Sequence, residues 1–253
     1  MPYIYRCHLT LKEPTFFSSR EVSNYYQTAP LIGNYALAYS LGLCQSPYFN
    51  DGTIHYREHL TQLNEQGIYV TPATISGEPQ FTLSQFNAQP DAYWYAMGAG
   101  TIVTRPDGGQ VVGGGKTWRV VREDGRRTKI PAENRPQHGR IRFLALGNEA
   151  IFYLISEDPY RPPAYIRLGK FMSKARLNIE EVEGTTTVEL EQVSISFLLN
   201  PADLGQQTTL HTFDLINVPP MPLVKNSMLS GSFFRLARDG YLPAGMHFGV
   251  DKL

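Results

Sequence analysis

Three stretches of the sequence hold residue types at spacings that could do chemistry. The first is GGQVVGGGKTWRVVREDGRRTK, Gly108 to Lys129. Its segment Gly115-Lys116-Thr117 matches the close of a phosphate-binding loop, in which backbone N–H groups wrap the phosphates and a helix N-terminus follows. Such a loop needs a glycine at position 110, where Gln110 stands, and the following TWRVVRE alternates like a strand. A nucleotide-hydrolysing loop is therefore set aside. The second stretch, His55 to His59, reads H-x-x-E-H, the inverted zinc-peptidase pattern. On a helix the two histidines stand one turn apart and could share a metal. A catalytic zinc also needs a third ligand, and no later glutamate is singled out for that role. Boundary histidines on an amphipathic helix are the plainer reading. The third, LSGSF (Leu229 to Phe233), lacks the first glycine of a nucleophile elbow. His8 and His138 are the candidates for general acid–base work, and each also reads as an ordinary surface histidine. No metal and no cofactor is expected.

The charge distribution points elsewhere. The chain has 253 residues and no net charge, with 23 basic and 23 acidic side chains. Residues 105–142, however, hold ten lysines and arginines against four acids. Such asymmetry points to a polyanionic partner. Within this region Asp124-Gly125 is a strong two-residue hairpin signal. It predicts the pairs Arg122–Arg127, Val121–Thr128 and Val120–Lys129, with Trp118, Val120, Arg122, Arg127 and Lys129 on one face. Lys116, Arg119 and Arg126 add further charge. Opposed arginines cost a hairpin roughly a few tenths of a kcal/mol, which an anionic partner would relieve. The Gly113–Gly115 run would act as its hinge. Cations around an aromatic platform are what a surface tracking a phosphate backbone uses. A solvated basic ribbon is the alternative.

A second basic stretch is PAYIRLGKFMSKARL, Pro163 to Leu177. A short strand ends at Leu168, Gly169 allows a sharp turn, and Lys170, Lys174 and Arg176 follow. Glycine backbone flanked by cations can approach phosphates closely. A turn with solvated lysines is the alternative here. Tyr25, Tyr26, Tyr93 and Trp94 are candidates for stacking on bases, or for packing in the core.

The elements that must position these residues follow from periodicity. Tyr3–Leu11 alternates as a half-buried strand. Leu31, Tyr35, Ala38 and Leu41 recur at helical spacing up to Gly42. A second helix is expected from Ile54 to Gln66, with Thr53 as N-cap and Gly67 as its stop. Expected strands are Ile68–Ile75, Tyr93–Thr104, Lys116–Glu123, Arg126–Ile130, Ile141–Leu146 and Ile151–Ser156. Further ones are Tyr165–Leu168, Ala175–Glu180, Val188–Leu199 and Thr209–Ile216. The apolar phase of the long strand changes near Glu191-Gln192, which predicts a bulge. NVPPMPLVKNS reads as extended or irregular. Cys7 and Cys44 have no metal-ligand spacing and are expected as buried thiols. The sequence has no signal-peptide pattern and no apolar run of membrane-spanning length, so a cytoplasmic protein is expected.

Three stretches together resemble a known family: YIYRCHLTLKEPTFFSSRE, GNYALAYSLGL and YIRLGKFMSKARL. They look like the Cas-five-type subunit of type I-D CRISPR effector complexes (Cascade), a branch of the RAMP superfamily. The resemblance spans most of the chain and is strongest in the first 45 residues and in 163–177. The early strand and helices followed by mixed strands suit an α+β fold, and the resemblance implies an RRM-like (ferredoxin-like) RAMP core with a projecting β-rich thumb. The expectation that a β-rich insertion forms this thumb as a basic β-hairpin rests on the charge and turn of residues 116–129. The chain would be one RAMP-type domain over 1–253, with that insertion at about 98–140. The resemblance also implies a non-catalytic subunit in antiviral defence. It would hold the crRNA 5′ handle, cap the row of Cas-seven-type backbone subunits and dock the Cas-ten-like large subunit. That places it near the protospacer-adjacent motif, with target DNA in reach. Arg167, Gly169, Lys170 and Lys174 match the family's glycine-turn motif. Ser18, Ser19 and Arg20 match the loop after its first strand. Some relatives cut crRNA by acid–base activation of a 2′-hydroxyl, so a metal-independent crRNA-processing endoribonuclease is one alternative. A zinc hydrolase using His55 and His59 is the other.

Overall fold

The alternation in YIYRCHLTL becomes a nine-residue strand, β1 (Tyr3–Leu11). Tyr5, Cys7, Leu9 and Leu11 are buried on one side, while Arg6, His8 and Thr10 are half-buried on the other. The computed structural model describes residues 1–22, 25–44, 55–88, 102–104, 110–112, 117–121, 127–131, 137–236 and 240–250. These residues are mostly β-structure, with two short α-helices. Contacts divide the chain into two compact units. The first comprises Met1–Glu21, Tyr26–Leu83 and Arg142–Leu253; the second comprises Val22–Tyr25 and Ser84–Ile141.

After β1 the chain forms the short strands β2 (Arg20–Val22), β3 (Tyr25–Gln27) and β4 (Leu31–Ile32). The helix α1 (Asn34–Ser40) begins after Gly33, so Leu31 belongs to a strand and not to the helix its spacing suggested. Gly42, at φ +74, follows its end. The helix α2 (Tyr56–Glu65) buries Leu60 and Leu63, as its stripe predicts. It starts later than expected: its N-cap is His55, which makes no side-chain capping bond. The expected strand Ile68–Ile75 is two strands, β5 (Ile68–Val70) and β6 (Ala73–Ile75). The break falls at Thr71-Pro72, where proline has no N–H for a ladder. The Thr71 N–H donates to the Tyr153 carbonyl at 2.9 Å, and its hydroxyl accepts from the Tyr153 N–H at 2.9 Å. β7 (Phe81–Ala88) then leads into the second unit.

That unit contains β8 (Ile102–Thr104), β9 (Gln110–Val112), β10 (Thr117–Val121) and β11 (Arg127–Pro131), paired in the order β11-β10-β9-β8. β12 (Gln137–Leu144) carries the chain back to the first unit, and β2, β3, β12 and β7 are hydrogen-bonded in that order. β13 (Glu149–Ser156), β14 (Tyr165–Leu168) and β15 (Ser173–Glu181) complete a seven-stranded sheet in the order β14-β15-β1-β13-β6-β4, with β5 also on β13. β1 pairs antiparallel with both β13 and β15, Cys7 lying between Phe152 and Ile179.

The rest of the first unit is a second sheet of β16 (Thr186–Ile195), β17 (Thr209–Ile216), β18 (Leu223–Leu236) and β19 (Gly240–Pro243). The predicted bulge in β16 is present as a register shift between Leu190 and Val193. Apolar residues of both sheets and both helices, among them Phe152, Leu37, Leu60 and Phe233, form one buried cluster. Both cysteines are buried and unpaired. Burial pushes the Cys7 thiol up to about 12 and the Cys44 thiol up to about 11, which leaves them unreactive. No helix among the described residues is long and apolar enough to cross a membrane.

Candidate nucleic-acid interface

Two of the three family-like stretches meet where the Gly169 turn touches the loop after β1. β14 and β15 pair as far as Leu168 and Ser173, and the turn between them starts at Gly169. Gly169 has φ +71, in the left-handed region, and a Cβ there would collide with the carbonyl of Phe16. Only glycine meets both demands. The same carbonyl accepts the Lys170 N–H at 2.9 Å. Two further bonds hold the segments together. The Lys12 N–H donates to the Lys174 carbonyl at 2.9 Å, and the Ser173 hydroxyl donates to the Pro14 carbonyl at 2.8 Å. Loop 14–19 is fixed from its other side by Thr28, whose hydroxyl both accepts from the Phe17 N–H (3.1 Å) and donates to the Phe17 carbonyl (3.0 Å).

This contact brings Ser18 and Ser19 beside Lys170. All three line a pocket of about 390 Å³ with Tyr35, Tyr56 and the Pro219-Pro220 pair. Ser19 Oγ accepts the Ala29 N–H at 3.0 Å, which leaves its own proton to donate. Behind the pocket lies Asp203, fully buried. Its carboxylate accepts from the Asn34 amide (2.7 Å), the Tyr69 hydroxyl (3.0 Å) and the Gly249 N–H (2.8 Å). Burial outweighs these bonds and raises the Asp203 carboxyl to about 6. Burial, with the Asp203 charge next, pushes the Tyr35 phenol up to about 12. Of the residues lining the pocket, Asn34 is thereby held in place by a buried carboxylate.

The cations around the turn differ in role. Arg167 Nη1 donates to the Met172 carbonyl at 3.2 Å and stands 3.7 Å from Glu13 Oε2, so it braces the turn and is partly neutralised. Lys174 Nζ lies 4.5 Å from the centre of the Tyr165 ring, a cation–π contact. Lys170 and Arg176 are exposed, and Arg176 sits between Thr10 on β1 and Tyr165 on β14. Arg20 is exposed on β2. The alternation of β15 sends Ser173, Ala175 and Leu177 inward and leaves Lys174 and Arg176 outward.

In the basic hairpin, Lys116, Arg122 and Arg126 lie outside the described residues, as do Tyr93 and Trp94. Trp118, Arg119, Arg127 and Lys129 are described through their strands. The register is one residue away from expectation: Val121 pairs with Arg127, Val120 with Thr128, Arg119 with Lys129 and Trp118 with Ile130. A one-residue slip exchanges the two sides of a ribbon. Arg127 and Lys129 therefore share register positions with Arg119 and not with Trp118. Five residues separate Val121 from Arg127, whereas a two-residue Asp-Gly turn leaves an even number between partners. Thr117–Val121 is a strand, so no helix follows GGGKT, against the phosphate-loop geometry.

The two histidines of the zinc-like pattern are engaged by neighbouring side chains. The His55 and His59 rings are 5.8 Å apart. His55 Nδ1 is 3.0 Å from Glu58, and His59 Nδ1 is 2.8 Å from the Tyr39 hydroxyl. Among the described residues there is no group of three or more His, Cys, Asp or Glu placed to hold a metal ion. His8 is half-buried in the middle of the large sheet, between Ile151 and Asn178.

A family model described as "Type I-D CRISPR-associated protein Cas5/Csc1" matches residues 2–251. The chain belongs to that family. None of the curated proteins compared with it matches. A solved chain from "Cryo-EM structure of the Type III-B Cmr-beta bound to cognate target RNA and AMPPnP, state 1" matches with TM-score 0.39 and 12% identity, over 89% of this chain and 86% of that one. In this Cas5/Csc1 chain, the sequence reading passed over Thr28, Asp203 and Phe171. NPAD at 200–203 did carry a signal: Asn200 caps a 3₁₀ turn with proline following, and its side chain accepts the Ala202 N–H at 3.1 Å. Phe171 carried no periodic signal because it stands in a turn.

Proposed function

We propose that this chain is a non-catalytic, cytoplasmic crRNA-binding subunit of a type I-D CRISPR surveillance complex. It holds the crRNA 5′ handle, caps the Cas-seven-type backbone filament and docks the Cas-ten-like large subunit near the protospacer-adjacent motif. The observation that carries the reading is the junction of loop 14–19 with the Gly169 turn. It gathers Ser18, Ser19 and Lys170 on one pocket, with Lys174 and Arg176 outward on the adjoining strand. Hydroxyls, a backbone turn and cations together suit phosphate holding. An RRM-like core is supported by the strand order β15-β1-β13-β5, with the helices between β1 and β5. The basic hairpin β10–β11 is the candidate thumb.

The test is binding of a repeat-derived RNA at several salt concentrations, with and without Lys170→Glu and Arg176→Glu. The double variant should weaken binding at least tenfold and lower the salt slope, because each lost phosphate contact removes about 0.7 from it. Unchanged affinity and slope would remove this surface as the handle site. Incubating the protein with the RNA in EDTA should leave the RNA intact. Cleavage lost in His8→Ala or His138→Ala would overturn the non-catalytic reading.

A further inference from the structure

Phe171 is an exposed aromatic residue of the Gly169 turn. It follows Lys170 in the β14–β15 turn and is 58% exposed, a large apolar ring held in water. It is not loose. Its ring stacks on Phe16 at 5.5 Å and 23°, and Phe143 flanks it at 5.9 Å. Phe16 is buried and packs on Phe143 at 5.7 Å. Arg167 ties the turn down through the Met172 carbonyl, and Gly169 is pressed on Phe16. The ring is thus backed by a rigid aromatic layer on one side while much of its surface remains open. Lys170 and Lys174 precede and follow it in the chain.

We propose that Phe171 is a stacking platform for one unpaired nucleobase of a single-stranded RNA. This rests on the RNA-binding reading of the Gly169 turn and names the group that takes the base while the cations take the phosphates. A fixed aromatic face among cations is the arrangement that holds single strands, because every base has a π-face. A rigid ring also loses little conformational freedom on binding. The partner commits to a nucleobase rather than to an apolar protein side chain because the turn is surrounded by lysine and arginine, which protein–protein contact centres avoid in the case of lysine.

The experiment uses the full chain and a repeat-derived RNA carrying 2-aminopurine at each position in turn. Phe171→Trp and Phe171→Tyr should keep affinity and the quenching of one 2-aminopurine position. Phe171→Ala should weaken binding roughly tenfold and release that quenching. Phe171→Leu keeps an apolar cover on Phe16 and should behave like alanine in both readouts. If leucine restores affinity in full, the contact is generic apolar burial and the proposal is overturned. It is also overturned if no position is quenched, or if Phe171→Ala binds as well as the parent while Lys170→Glu does not. In that last case the RNA-binding reading survives. If neither variant changes RNA binding, the reading of the whole turn falls with the platform.

Discussion

At the scale of single residues, Asp203 sets a measurable property through its burial. It joins the start of α1 through Asn34, β5 through Tyr69 and the C-terminal segment through Gly249. Its carboxyl stands at about 6 in the folded protein against an ordinary 3.8, chiefly because burial disfavours the charge. The folded state therefore binds this proton more tightly than the unfolded chain does. The associated stability is fully present below about 3.8 and is lost as pH rises through about 6. The shift corresponds to about 3 kcal/mol at most. We expect the urea midpoint of the parent to gain on that of Asp203→Asn as pH falls from neutrality through the same range. Parallel midpoint-against-pH curves for the two proteins would show that Asp203 does not titrate there.

At the scale of elements, the basic hairpin makes a prediction that depends on its register. Arg119 faces Lys129 across β10 and β11, so the opposed like charges are this pair and not Arg122 with Arg127. Replacing Arg119, Arg127 and Lys129 by glutamine should stabilise the free ribbon slightly and weaken RNA binding. The slope of log affinity against log salt should fall by up to about 2 for three single-strand phosphate contacts. An unchanged slope would exclude the hairpin from the RNA interface. Elements also differ in how well they could be read from sequence. Tyr165–Leu168 was legible to the residue, because plain alternation continues to a turn. Thr209–Ile216 has its expected bounds, although its register shifts between Leu210 and Asp214. The fourteen-residue strand β18 was not legible. Its pleat is interrupted by Asn226 at φ +50 and Gly231 at φ +126, and a Cβ on Gly231 would collide with the Gln207 carbonyl. Those interruptions erase the period-two pattern, although pairing with β16, β17 and β19 makes β18 the centre of its sheet.

At the scale of the whole molecule, the main buried cluster among the described residues lies in the first unit, which should therefore fold without the second. The excision point is favourable: the Ala145 N–H donates to the Gln80 carbonyl at 3.0 Å, so the two chain ends at Leu83 and Arg142 stand close enough for an Asn-Gly turn. A chain so shortened should unfold in one cooperative transition and keep RNA binding at the Gly169 turn with a smaller salt slope. Dye binding and a broad melt would instead show that the first unit depends on the second. The sequence by itself determined what is local: strand periods, the bulge in β16, the glycine at the tight turn, the concentration of positive charge and the family. Only the tertiary structure decided which of these meet. Phe16 and Gly169 are distant in sequence, and their contact exists because β1 and β15 are neighbours in one sheet. The burial of Asp203 and the platform under Phe171 have the same origin. Side-chain spacing along a strand is set by the pleat, whereas the pairing of remote strands is set by the apolar surface they bury together.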